Sequence, residues 1–129
     1  MKDFTPYGLI LGIIIILGLG IAEQYYLEKV SIDTFNDVTK IEAMFLAGNL
    51  EDSIINLQNT ITKWKKNERI LEMMLNHEEV HKISESLIEI DSKLKNFSNS
   101  NNVSANFALL KAYITNIEEG NKFIINNVL

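Results

Sequence analysis

The chain has 129 residues, with 12 basic and 17 acidic side chains, a formal charge of −5 and no cysteine. That length suits one domain, and the missing thiols exclude disulfides, thiol catalysis and zinc–thiolate sites. The acidic balance, with no basic cluster larger than Lys63-Trp64-Lys65-Lys66, argues against nucleic acid or an anionic lipid surface as the main partner.

The first element is apolar throughout. No charged residue falls between Phe4 and Ala22. As a helix this run would extend about 28 Å, close to the roughly 30 Å hydrocarbon core of a bilayer. A single apolar segment in lipid must close its own backbone hydrogen bonds, which selects helix. A signal peptide cut after Ala22 is the competing reading, because Gly20 and Ala22 are small. The length of the run and the belt position of Tyr25 and Tyr26 favour a retained anchor. Lys2 and the amino terminus outweigh Asp3, and Glu23 opens the far flank, which predicts an extracytoplasmic C-terminal part. Gly8-x-x-x-Gly12 offers a small-residue face for another membrane helix, with Gly18 and Gly20 adding close-approach surface.

The remainder follows a helical rhythm, with no strand alternation and no proline after Pro6. The first bundle helix is expected over Ser31–Ala47, with Ile32, Phe35, Val38, Ile41 and Phe45 as its apolar stripe. It can run on directly from the membrane helix. Gly48 supplies the left-handed residue that ends it, and Asn49 is placed to cap the next helix. That second helix carries Leu50, Ile54, Leu57, Ile61, Trp64, Leu71 and Leu75 at alternating steps of four and three, with Glu68 in the missing place. The third carries Val80, Ile83, Leu87, Ile90, Leu94 and Phe97. A polar loop spans Ser98 to Asn102. The fourth uses Val103, Phe107, Leu110, Ile114 and Ile117, is interrupted at Gly120, and leaves Phe123, Ile124 and Val128 to close one end of the core. The predicted architecture is all-α: an N-terminal membrane anchor and juxtamembrane segment over 1–29, then an antiparallel four-helix bundle over 30–129. The glycine–alanine spacing of tetratrico-type repeats is not evident.

One string invites a catalytic reading. His77-Glu78-x-x-His81 is the H-E-x-x-H pattern in which two histidines one turn apart bind zinc and the glutamate activates water. A plainer reading covers the same residues. Asn76 followed by Glu79 resembles a capping box, and Glu78 and Glu79 sit where a helix N-terminus favours negative charge. These are the only histidines, so a third ligand would have to be a carboxylate such as Glu118 or Glu119, which nothing marks. We assign no catalytic, cofactor or metal residue, and no cofactor. Trp64 is expected in the core rather than stacked on a ligand. Glu68 is either a buried group paired with Lys or Arg or, as we favour, the place where the seam reaches the bundle end. Asn67 is expected to bond a loop carbonyl, and Met73 and Met74 to fill gaps in the core. Asn96 and Asn102 open Asn-x-Ser strings, but the Ile-, Asn- and Lys-heavy composition looks bacterial and glycosylation is given no weight.

Several stretches together carry a resemblance: the apolar first helix, "GNLEDSI", Trp64 with Asn67, "LNHEEV", "LLKAYI" and the closing "NNVL". Over nearly its whole length the chain resembles the domain-of-unknown-function 4363 family of small membrane-anchored proteins from Firmicutes. The resemblance implies a helical domain outside the cytoplasmic membrane, with no assigned activity. It also implies an acidic residue where this chain has His81, which leaves His77 a structural role across the turn between the second and third helices. Family members accompany a multi-pass membrane protein, which implies an accessory role. The expected function is therefore a single-pass protein of the cell membrane whose helical domain binds or regulates an integral membrane partner, or self-associates through its membrane helix. A ligand-sensing bundle is the alternative, and a zinc hydrolase the third reading.

Overall fold

The computed structural model describes residues 6–97 and 102–128, with side chains described as far as Gly120. Four helices follow in order: α1 over Pro6–Leu46, α2 over Leu50–Met74, α3 over His77–Lys95 and α4 over Val103–Val128. No strand occurs among the described residues. Each helix packs on two neighbours in a closed ring, α1 on α2, α2 on α3, α3 on α4 and α4 on α1, and among the described residues the backbones of the diagonal pairs do not approach one another. The product is a helical bundle around one core.

α1 is a single unbroken helix of 41 residues, about 60 Å long. Pro6 starts it, a position where its fixed φ and missing N–H cost nothing. Its first half, through Ala22, is exposed or nearly so at every position, whereas buried side chains begin at Leu27. The helix ends as the sequence predicts. Gly48 adopts φ +89°, its N–H donates to Phe45 O at 3.0 Å, and Asn49 N–H donates to Met44 O at 2.9 Å. This pair of bonds is the Schellman closure.

Within the bundle the buried stripes differ from expectation on α1 and α2. On α1 the core positions are Leu27, Val30, Ser31, Thr34, Val38 and Ile41, while Ile32 is 43% exposed. On α2 they are Ser53, Leu57, Thr60, Trp64 and Leu71, with Leu50, Ile54, Ile61 and Leu75 at the margin. In both helices a hydroxyl side chain occupies a central place that an apolar pattern passes over. Ser53 Oγ and Thr60 Oγ1 donate to the carbonyls of Leu50 and Asn56, at 2.6 and 3.1 Å, which lets them enter the core satisfied. Asn49 takes the N-cap place of α2, but its side chain makes no cap hydrogen bond.

α3 and α4 follow their predicted stripes. Val80, Ile83, Leu87, Ile90 and Leu94 are buried on α3, and Val103, Phe107, Leu110, Ile114 and Ile117 on α4. Phe97 is partly exposed beyond the end of α3, with its ring edge-on to Phe45 at 5.2 Å. α4 does not stop at Gly120 but continues to Val128. The expected closing role of Phe123, Ile124 and Val128 lies outside the described side chains. The polar loop lies mostly outside the described residues too. Its last residue, Asn102, accepts from Ala105 N–H at 3.3 Å and so caps α4.

Candidate functional site

The H-E-x-x-H residues form the first turns of α3. Asn76 Oδ1 accepts from Glu78 N–H at 2.9 Å, and Asn76 O from Glu79 N–H at 3.1 Å. This is a capped helix start, made through the second helical residue rather than the third. The rings of His77 and His81 stack at 5.8 Å with 12° between planes, and both side chains are more than half exposed. Each faces a different carboxylate. His77 Nδ1 lies 3.4 Å from Glu72 Oε1, across the turn from α2, and His81 Nε2 lies 3.1 Å from Glu85 Oε1 on its own helix. The described residues contain no group of three His, Cys, Asp or Glu arranged to hold a metal ion. Both rings stand largely exposed, each directed to its own carboxylate.

The α2–α3 seam holds a polar chain that the sequence did not reveal. Trp64, 2% exposed, donates its Nε1–H to Ser84 Oγ at 2.8 Å. Ser84 Oγ lies 2.7 Å from Glu68 Oε1, and also 3.2 Å from Val80 O. Trp64 is therefore a core residue whose one polar atom is satisfied. Glu68 sits neither against a Lys or Arg nor at a bundle end: its carboxylate receives a hydroxyl within the seam. Ser84 lies on α3 four residues after Val80, and only the packing of two helices brings it to the indole. A cleft of about 160 Å³ opens beside this chain, walled by Ile61, Trp64, Glu68, His81 and Leu87 among others. A second of about 70 Å³ lies between α1 and α2, with Asp33, Asp37, Lys63 and Asn67 on its walls. Both are small beside the roughly 300–1,000 Å³ of typical small-molecule sites.

Where the apolar half of α1 meets the bundle, Tyr26 OH donates to Asn67 Oδ1 on α2. Asn67 Nδ2 in turn donates to Lys63 O of its own helix at 3.0 Å, not to a loop carbonyl. Burial raises the Tyr26 phenol above its ordinary pKa of 10.0, which favours the neutral, donating form. Further along, Lys63 Nζ meets Asp37 Oδ2 at 2.6 Å. Met74 packs at the edge of the core, but Met73 is 81% exposed and fills no gap.

The N-terminal half of α1 is a long unpartnered surface. Its most apolar window has a mean hydropathy of 2.0 and is wholly unburied, and by length and composition α1 can cross a membrane. Gly8 and Gly12 lie one turn apart on this half, and the space beside Gly12 is open.

The pattern of the Domain of unknown function (DUF4363) family matches residues 21–128. The chain belongs to this family. The match starts at the end of the apolar run and takes in the whole bundle. No curated protein and no solved structure matches the chain.

Proposed function

We propose that this DUF4363 protein is a single-pass membrane protein whose antiparallel four-helix bundle stands on the extracytoplasmic face and docks on, or regulates, an integral membrane partner. One observation carries the reading. α1 is continuous, its first half is apolar on every side and unburied, and its second half is buried along one stripe. A helix apolar all round needs an apolar medium. The antiparallel arrangement is supported by pairs whose numbers rise on one helix as they fall on the next. Glu42 meets Lys111 and Phe45 meets Phe107. Glu72 meets His77, whereas Trp64 meets Ser84. The charge difference across the first helix supports the orientation. The mechanism is placement: a tethered bundle is confined near partners in the same membrane, which raises its effective concentration there. The small clefts favour this reading over ligand sensing.

Expression of the full chain with a C-terminal alkaline phosphatase or green fluorescent protein tests topology. An active phosphatase, a dark fluorescent fusion and retention through alkaline carbonate extraction are expected. Release by carbonate would overturn the anchor, and a bright fluorescent fusion would reverse the orientation. Chemical crosslinking in membranes followed by detergent purification should recover an integral protein. Recovery of the uncrosslinked chain alone would remove the partner role.

A further inference from the structure

Resting on the reading of α1 as a membrane span, we propose that the bundle has a second contact with the bilayer, made by the α2–α3 turn through Met73 and Ile70, which insert into the neutral lipid interface.

The register places them there. Two α1–α2 pairs, Tyr26 with Asn67 and Asp37 with Lys63, fix how far α2 descends alongside α1. Met73 lies six residues past Asn67 and ten past Lys63, so it falls level with α1 between residues 20 and 27. That window straddles the end of the apolar run at Ala22. Because α1 is unbroken, the bundle base cannot stand clear of the surface its first half enters. At this level the outer face of α2 carries two exposed apolar side chains beside Arg69. Met73 is 81% and Ile70 45% exposed, and Tyr25 is exposed at the same height on α1. Ile70 follows Asn67 by three residues and so lies toward the α1 side of α2. Met73 points away from the core. These two side chains stand one turn apart on α2, at the height where the apolar run of α1 ends. The charges flanking the pair are Arg69 on α2 and Glu72, Glu78 and Glu79 about the turn, a net negative set that opposes attraction to anionic headgroups. The contact is therefore with the interfacial region of a neutral bilayer, where exposed apolar side chains gain by leaving water.

The absence of native cysteine makes the test clean. Single variants Met73→Cys, Ile55→Cys and Ile14→Cys of the full chain carry an environment-sensitive fluorophore in phosphatidylcholine vesicles. Ile55 is the control: it is 56% exposed and five turns from Met73 on the same face of α2. Shallow nitroxide-labelled lipid should quench the probe at 73 several-fold more than the probe at 55, and a membrane-impermeant maleimide should react several-fold more slowly with Met73→Cys. Quenching at 14 with equal, weak quenching at 73 and 55 would overturn the second contact while leaving the span intact. Absence of quenching at 14 would overturn the span reading and this contact with it.

Discussion

The two halves of α1 obey the same helical geometry in different surroundings. From Pro6 to Ala22 isoleucines, leucines and glycines cover every side of the helix, and nothing packs on them. From Leu27 to Ile41 apolar and small hydroxyl side chains are confined to one stripe, and the other sides carry Glu28, Asp33, Asp37 and Lys40. A single-sided stripe marks a helix that shares a core with others in water. An all-round apolar surface marks one whose whole circumference lies in an apolar medium. The lesson is that one unbroken helix can carry an all-round apolar segment and a bundle stripe with no linker, so that the placement of one half relative to the other is set by the helix itself.

That contrast can be broken most forcefully inside the core. Trp64→Ala removes the largest buried side chain and the donor to Ser84. It should cost the bundle about 3–5 kcal/mol in urea unfolding and leave membrane retention unchanged. The reciprocal change is Ile14→Arg in the apolar half. A charge at the centre of a spanning helix disfavours insertion by about 2.5–3.5 kcal/mol, so the carbonate-resistant fraction should drop while the thermal melt of the bundle stays put. If the melt moved equally, the two halves would not be independent.

Smaller effects sharpen the boundaries of the bundle. Gly48→Ala places a Cβ in the left-handed region, where space is open but φ is +89°. The strain should cost about 1 kcal/mol by thermal denaturation. Asn76→Ala deletes the cap on α3 and should also cost about 1 kcal/mol. His81→Ala, at an exposed site, should change stability by less than about 0.5 kcal/mol. A larger loss would reveal a role for the histidine pair that its geometry does not explain. The finest effect is pH dependence at Tyr26. Its phenol has a pKa raised by burial, so the folded state favours the neutral form. That contribution is complete below the unfolded value near 10 and is lost as pH climbs beyond it. Tyr26→Phe should flatten this alkaline decline in a pH series of melts.

Much of the fold was legible in the residues. The stripes of α3 and α4 read correctly because their core places are held by large aliphatics and Phe107. The end of α1 at Gly48 and the start of α3 at Asn76 read correctly because turn and cap chemistry is local. Ser31, Thr34, Ser53 and Thr60 escape an apolar pattern because a hydroxyl looks polar; Ser53 and Thr60 enter the core through bonds to the preceding turn. Ile32 took the place of its small neighbours for the same reason. Gly120 suggests a break, yet glycine inside a helix weakens it without ending it, and α4 runs on to Val128. The H-E-x-x-H string illustrates the opposite limit. The spacing that puts both histidines on one face also follows from any helix, and chemistry needs further groups to converge.

The amino-acid order by itself determined the helices, the apolar first half of α1, most of the core and the turn at Gly48, because each depends on residues within a turn or two of one another. Tertiary structure alone decided the partners between elements: Asn67 for Tyr26, Ser84 for Trp64, Glu68 for Ser84, and Glu72 as the group that His77 meets across its turn. It also decided the height of Met73 beside α1. Those facts rest on the register between helices, which is fixed only when whole faces pack together.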